Sequence, residues 1–175
     1  IMQKGVRVQN RTGVDTLAIF GEKFEHDMAE GFPLVTTKKV IFQSIFSELE
    51  FFIKGLTDKR WLQERGNPIW DAWGGGISYA HDEETKWKML EEADLGPIYG
   101  FQWRHFGAVY RGLEVNYTGQ GVDQLADLIN TIKTKPTDRR MIVSAWNPAQ
   151  LHLMALPPCH YQFQVNISED KLNLA

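Results

Sequence analysis

The sequence predicts an α+β fold, with helices and strands interspersed along the chain rather than alternating in units. The observations behind this are an amphipathic helical period from Ile41 to Lys54, a second from Val122 to Ile132, and a strict alternation of apolar and amide residues after Cys159-His160. No regular strand-helix-strand rhythm joins them, which argues against a parallel doubly wound sheet.

Taken in order, residues 5–37 mix short apolar runs with turn residues, notably Asn10-Arg11-Thr12-Gly13 and Gly31-Phe32-Pro33, and read as one or two strands around loops. From Ile41 the helical period places Ile41, Phe42, Ile45, Phe46, Leu49, Phe52 and Ile53 on one face. Gln43, Ser47, Glu50 and Lys54 lie opposite, and Gly55 suits the position just past the helix end. Residues 57–65 continue as a short polar helix. Residues 74–94 are glycine-rich and then acidic, and read as a loop insertion with an exposed helix from Asp82 to Leu90. In the next helix Val122, Leu125, Leu128, Ile129 and Ile132 share a face. Asp123 is in its first turn, Lys133 and Lys135 are near its end, and Pro136 is a stop. Met141 to Trp146 reads as a buried strand closed by Asn147-Pro148. After His160, Tyr161, Phe163, Val165 and Ile167 fall on one face, Gln162, Gln164 and Asn166 on the other. A face of amides rather than charges suits a polar cavity or a subunit contact.

At 175 residues the chain is long enough to bury a core as one domain over 1–175. Its 43% hydrophobic against 23% charged residues excludes a disordered segment. No apolar run approaches the ~20 residues of a membrane span, and Ile1-Met2-Gln3-Lys4-Gly5 lacks an apolar signal-peptide core. A net charge of -3 gives no electrostatic case for nucleic acid. The single cysteine excludes an internal disulfide, and with no sign of secretion the expected compartment is the cytoplasm.

Cys159 is the first chemical candidate. Two prolines stiffen its approach, and a thiolate held at the start of a strand is a nucleophile if its surroundings favour the charge. The alternative is an inert buried thiol, common among free cysteines. A metal site is not expected, since there is no second Cys and the five His lack ligand spacing. Arg139 and Arg140, after Asp138, could clamp a phosphate in fork geometry or simply cap a strand end as solvated charges. Arg11 has the same two readings. Glu48 falls at the edge of the apolar stripe. A carboxylate partly desolvated there has a raised pKa suited to moving protons, unless it reaches solvent or pairs with an Arg. Trp70, Trp73, Tyr99 and Trp103 could stack on a flat heterocycle or pack in the core.

Taken together, five segments carry more weight than any one residue. They are Asn10-Arg11-Thr12-Gly13, Phe32-Pro33-Leu34-Val35-Thr36-Thr37-Lys38-Lys39, Leu95-Gly96-Pro97-Ile98-Tyr99-Gly100-Phe101-Gln102-Trp103-Arg104, Asp138-Arg139-Arg140-Met141-Ile142-Val143-Ser144-Ala145-Trp146-Asn147 and Met154-Ala155-Leu156-Pro157-Pro158-Cys159-His160. In content and order they resemble the signature segments of thymidylate synthases. The resemblance implies that family's mixed sheet with packed helices. It also implies transfer of a one-carbon unit and a hydride from 5,10-methylenetetrahydrofolate to dUMP, giving dTMP and dihydrofolate, with no metal. Uracil C5 is a poor nucleophile, and addition of a thiolate at C6 converts it to an enolate carbon able to attack the methylene iminium.

On this resemblance Cys159 is the thiolate, Glu48 organises water and moves protons near pyrimidine O4 and the folate, and Tyr99 assists loss of the C5 proton. Arg11 holds the 5′-phosphate, and Arg139 and Arg140 reach across a homodimer to the neighbour's phosphate. Trp70 and Trp73, with Ile69 beside them, pack on the folate, and Lys38 meets its glutamate tail. Family members continue with an Arg-Ser segment, a pterin-facing Asp, a base-reading Asn and His and Tyr contacts to the sugar, so the chain is expected to be a C-terminally incomplete piece of such an enzyme. Ile41 and Ser47 stand where some relatives carry histidines. Two other readings use the same fold: a dUMP or dCMP hydroxymethylase, in which water captures the exocyclic methylene, and a non-catalytic nucleotide-binding fragment.

Overall fold

The computed structural model describes residues 1–9, 13–71 and 92–175. The predicted helix at 82–90 and nearly all of the 74–94 insertion lie outside the described residues, as do Arg11 and Trp73. The chain divides into two compact units, Ile1–Val40 and Ile41–Ala175. The first contains two short strands, β1 (Val6–Val8) and β2 (Thr16–Ala18), paired antiparallel with Arg7 opposite Leu17. A single 3-10 turn, Met28–Glu30, is capped by the Asp27 carboxylate accepting from the Ala29 N–H.

The second unit holds the core. Helix α1 (Phe42–Ile53) ends in a Schellman motif. Gly55, at φ +73°, donates to the Phe52 carbonyl, and Leu56 donates to the Phe51 carbonyl, which satisfies the last turn and turns the chain away. A short helix α2 (Arg60–Gln63) follows, with the Asp58 carboxylate accepting from the Arg60 N–H. Helix α3 (Tyr99–His105) lies against α1, and Gly100 explains how closely. A Cβ there would stand 2.8 Å from the Phe52 carbonyl oxygen and 3.1 Å from the Gly55 Cα, so only glycine admits the approach. Helix α4 (Gln124–Thr134) starts at Asp123, whose carboxylate accepts from the Ala126 N–H and from the Arg104 guanidinium at 2.9 and 2.8 Å. Strands β3 (Ile142–Ser144), β4 (Gln162–Ser168) and β5 (Lys171–Leu174) form an antiparallel sheet in that order. The mixture of helices and small antiparallel sheets is the α+β class that the sequence predicts.

Phe51, Phe52, Leu62, Trp70, Leu95, Ile98, Tyr99, Trp103, Val143 and Met154 form one cluster, with Leu125, Leu128 and Phe163 packed on its rim. Each large side chain removed from water contributes about 1.5–3 kcal/mol, so this cluster dominates the stability of the unit. Among the described residues, no helix is long and apolar enough to cross a membrane.

The structure corrects which face of α1 is buried. Phe51, Phe52 and Ser47 are interior, whereas Ile41, Phe42, Phe46 and Leu49, assigned to the apolar face, are about half exposed. The helix is apolar around more than half its circumference, so periodicity alone does not choose a face. Packing of α3 at Phe52 chooses it. Ser47 can be interior because its hydroxyl donates to the Ser44 carbonyl and accepts from the Asn67 side-chain amide at 2.9 Å. Likewise in α4 only Leu125 and Leu128 of the predicted stripe meet the core. Ile129 is exposed, and Val122 precedes the helix, bridging Phe106.

Candidate functional site

Two segments far apart in sequence are fastened together at the N-terminus of α3. The Ala155 N–H donates to the Leu95 carbonyl at 2.9 Å. Gly96, at φ +72°, lies so close to the Leu153 carbonyl that a Cβ would stand 2.0 Å from its oxygen. Beyond them the Cys159 N–H donates to the Tyr99 hydroxyl oxygen at 2.7 Å. The two segments thus meet at three places, and Pro158 is buried while Cys159 is exposed. A stiff, buried proline followed by an exposed thiol with its own N–H tied down holds the sulfur at a defined place and leaves it reachable.

Tyr99 is almost wholly buried. Burial pushes its hydroxyl up to about 12, and the adjacent Cys159 thiol adds to this while the Cys159 N–H opposes it. The phenol is therefore neutral at pH 7. The His160 ring stacks on Tyr99 with centroids 4.0 Å apart and planes 15° from parallel. Burial of this face lowers the His160 pKa and keeps the ring neutral against the phenol. Phe52 sits among them, 4.7 Å from Tyr99 and 6.0 Å from His160.

Glu48 reaches the same cluster from α1. Its carboxylate accepts from the Trp70 indole N–H at 2.7 Å, and Trp70 stands edge-on to Tyr99 with centroids 6.3 Å apart. Burial raises the Glu48 pKa, and the indole bond partly offsets it. The turn that leads into Trp70 is tied to α1 by Asn67, which is buried and whose side chain donates to the Ser44 carbonyl of α1 and accepts from the Ile69 N–H. Glu48, Trp70, Tyr99 and Cys159 thus form one connected group.

The remaining predicted residues are elsewhere. Ile69, beside Trp70, is exposed. Lys38 is exposed in the first unit. Arg139 and Arg140 are exposed on the loop before β3, which lines a recess of about 430 Å³ with Thr134, Lys135, Pro136, Thr137 and Asp138. Their bonds are made by backbone: the Arg140 N–H donates to the Asp138 carboxylate and the Arg139 carbonyl accepts from the Gln164 side chain. Among the described residues no ion pair involves either guanidinium. Sequence reasoning did not single out His160 as a site residue, nor the buried amides of Gln102 and Asn147 and the half-buried one of Gln150. Adjacency to Cys159 was the one available signal for the first, and nothing local marks the others.

The arrangement supplies a fixed, accessible thiol beside a neutral hydrogen-bonding phenol, and a half-buried carboxylate poised to hold a proton. Such a set suits covalent addition to an electron-poor ring with assisted proton movement. Similarity to known proteins points the same way. The sequence profile of the family described as Thymidylate synthase matches residues 1–175. The chain is 49% identical to thymidylate synthase of Homo sapiens over 173 residues, covering 99% of this chain and 54% of the relative. It is 49% identical to thymidylate synthase of Herpesvirus ateles, covering 59% of it, and 48% identical to bifunctional dihydrofolate reductase-thymidylate synthase 2 of Arabidopsis thaliana, covering 30%. The chain thus spans about half the length of the single-function relatives, or less of the bifunctional one. On a match that runs the whole length of the sequence, the chain belongs to the thymidylate synthase family.

Proposed function

We propose that the protein is a methyltransferase that converts dUMP to dTMP, with 5,10-methylenetetrahydrofolate as cosubstrate and Cys159 as nucleophile. The observation that carries this reading is the exposed Cys159 tied through its N–H to the buried Tyr99 hydroxyl, in a chain matched to the family from end to end. The Cys159 sulfur bonds to C6 of the pyrimidine, and the C5–C6 electron pair moves to C5 and O4 as an enolate. Tyr99, neutral at pH 7, assists loss of the C5 proton as a hydrogen-bonding group rather than as a phenolate.

The folate, when bound, supplies the one-carbon unit and the hydride. Its flat, amide-bearing ring system fits a half-buried carboxylate beside an aromatic cluster, and the indole of Trp70 holds that carboxylate in place. Glu48 then holds or releases a proton near pyrimidine O4 and the folate ring. Ile69, Trp70 and Trp73 are assigned to the folate's surface, Trp70 in part through its grip on Glu48, and Lys38 to the glutamate tail. Arg11 is assigned to the 5′-phosphate. Arg139 and Arg140 are assigned to the phosphate in a partner subunit, which makes the working unit a homodimer with the family's mixed sheet and packed helices. The expected compartment is the cytoplasm.

The test incubates the full-length protein with dUMP and methylenetetrahydrofolate, following dihydrofolate by absorbance and the nucleotide by mass. Dihydrofolate with a methylated nucleotide, both abolished in Cys159→Ser, is the expected result. A hydroxymethyl nucleotide without dihydrofolate would move the protein to the pyrimidine hydroxymethylases. Binding of dUMP with no turnover would reduce it to a nucleotide-binding module.

A further inference from the structure

Behind the Tyr99–Cys159 contact lies a ring of three side-chain amides. Gln102 of α3 is fully buried, and its amide nitrogen spends one hydrogen on the Pro97 carbonyl and the other on the Gln150 side-chain oxygen, each at 2.8 Å. Its side-chain oxygen accepts from Asn147 at 3.1 Å, and Asn147 donates also to Gln150 at 3.1 Å. Gln150 completes the set by donating to the Ala108 carbonyl at 2.7 Å. The triangle is closed and uncharged, and turning any one amide over would oppose donor to donor or acceptor to acceptor.

The strands of chain that this ring joins are the two that make the site. Pro97 belongs to the tight segment that delivers Tyr99. Asn147 and Gln150 form the turn that leads through Leu151–Leu153 to Cys159. The Gln102 side chain bonds to both. The same two segments also meet where the Ala155 N–H donates to the Leu95 carbonyl and where Gly96 lies close to the Leu153 carbonyl. We propose that Gln102 is a positioning residue, which sets the separation of the Tyr99 hydroxyl and Cys159 by holding the Pro97 carbonyl and the Gln150 amide in one register. The proposal rests on the functional reading above.

Gln102→Met keeps the volume and removes both donors. In the full-length protein, kcat for dUMP is expected to fall roughly tenfold to a hundredfold, since a misplacement near 1 Å costs that much, while KM for dUMP stays within about twofold. In a Tyr99→Phe background the same change is expected to have little further effect, because the register it sets has already lost its hydroxyl. Gln150→Met, at a half-buried position, removes one of the two bonds donated by Gln102, together with Gln150's own bonds to Asn147 and Ala108, and is expected to give a loss of the same kind. Losses that multiply with Tyr99→Phe, an unchanged kcat in folded variants, or unfolding of both variants would overturn the proposal, the last because the ring would then hold the fold and not the site. Absence of turnover in the unmutated protein would sink the functional reading and this proposal with it, whereas turnover that survives Gln102→Met intact sinks this proposal alone.

Discussion

The surroundings of Tyr99 and the loop at 134–140 handle polar groups in opposite ways. Around Tyr99, the Cys159 N–H, the Trp70 indole, the Asn67 amide and the Gln102 ring each have partners set by the fold. On the loop, two guanidinium groups stand in solvent, and only the backbone that carries them is bonded. Groups that must act at one angle are ordered at folding, where burial strengthens each bond and makes an unmade one costly. Charges that steer and hold an anion can wait for it, because their pull extends several ångströms and needs little prior order.

The largest way to break this contrast is Gly96→Ala. A Cβ at 2.0 Å from the Leu153 oxygen, on a backbone at φ +72°, forces the 95–99 and 151–159 segments apart. A loss on the order of 3–5 kcal/mol is expected in denaturant unfolding, since overpacking and positive-φ strain act together. Cys159 alkylation and dUMP turnover would change with it.

Trp70→Phe sharpens the contrast on the ordered side. Burial already raises the Glu48 pKa, and removing the indole donor raises it further. The folded state then keeps its proton at pH values where the unfolded chain has lost it. Stability therefore falls as pH rises from the unfolded carboxylate value through the raised one, and the penalty is complete above it. The variant is expected to lose about 1 kcal/mol near neutrality, allowing for partial exposure of the carboxylate. The acid limb of its pH–rate profile is expected to move to higher pH. A limb that stays in place would remove Glu48 from the proton inventory.

Arg139→Ala is the smallest in stability. An exposed guanidinium without an ion pair is expected to change unfolding by no more than about 0.5 kcal/mol. KM for dUMP is expected to rise, and the salt dependence of KM to weaken, as one charge leaves the phosphate's surroundings. A large fall in thermal midpoint would show that the loop is held by its side chains after all.

Parts of the candidate site are legible residue by residue. Glu48 at the margin of an apolar stripe reads as either a desolvated carboxylate or one that reaches solvent or an Arg, and burial does raise its pKa. The alternation after His160 did yield a strand with Val165 inward and Asn166 outward. The misreading of α1 has a physical cause in the same helix. Phe51 is covered by Trp61 of α2, and Ser47 is buried because Asn67 supplies a partner for its hydroxyl, and neither fact lies within the helix's own sequence.

The order of residues by itself determined the α+β class, the helix end at Gly55, the family, and the candidate set led by Cys159. Those are local or pattern properties, carried by period, backbone freedom and side-chain chemistry. The tertiary structure alone decided which face of α1 is covered, that Trp70 holds Glu48, that His160 lies flat on Tyr99, and that three amides close behind them. Each of these depends on groups distant in sequence meeting within about 3 Å for a hydrogen bond or about 4–7 Å between rings, and no window along the chain contains both partners.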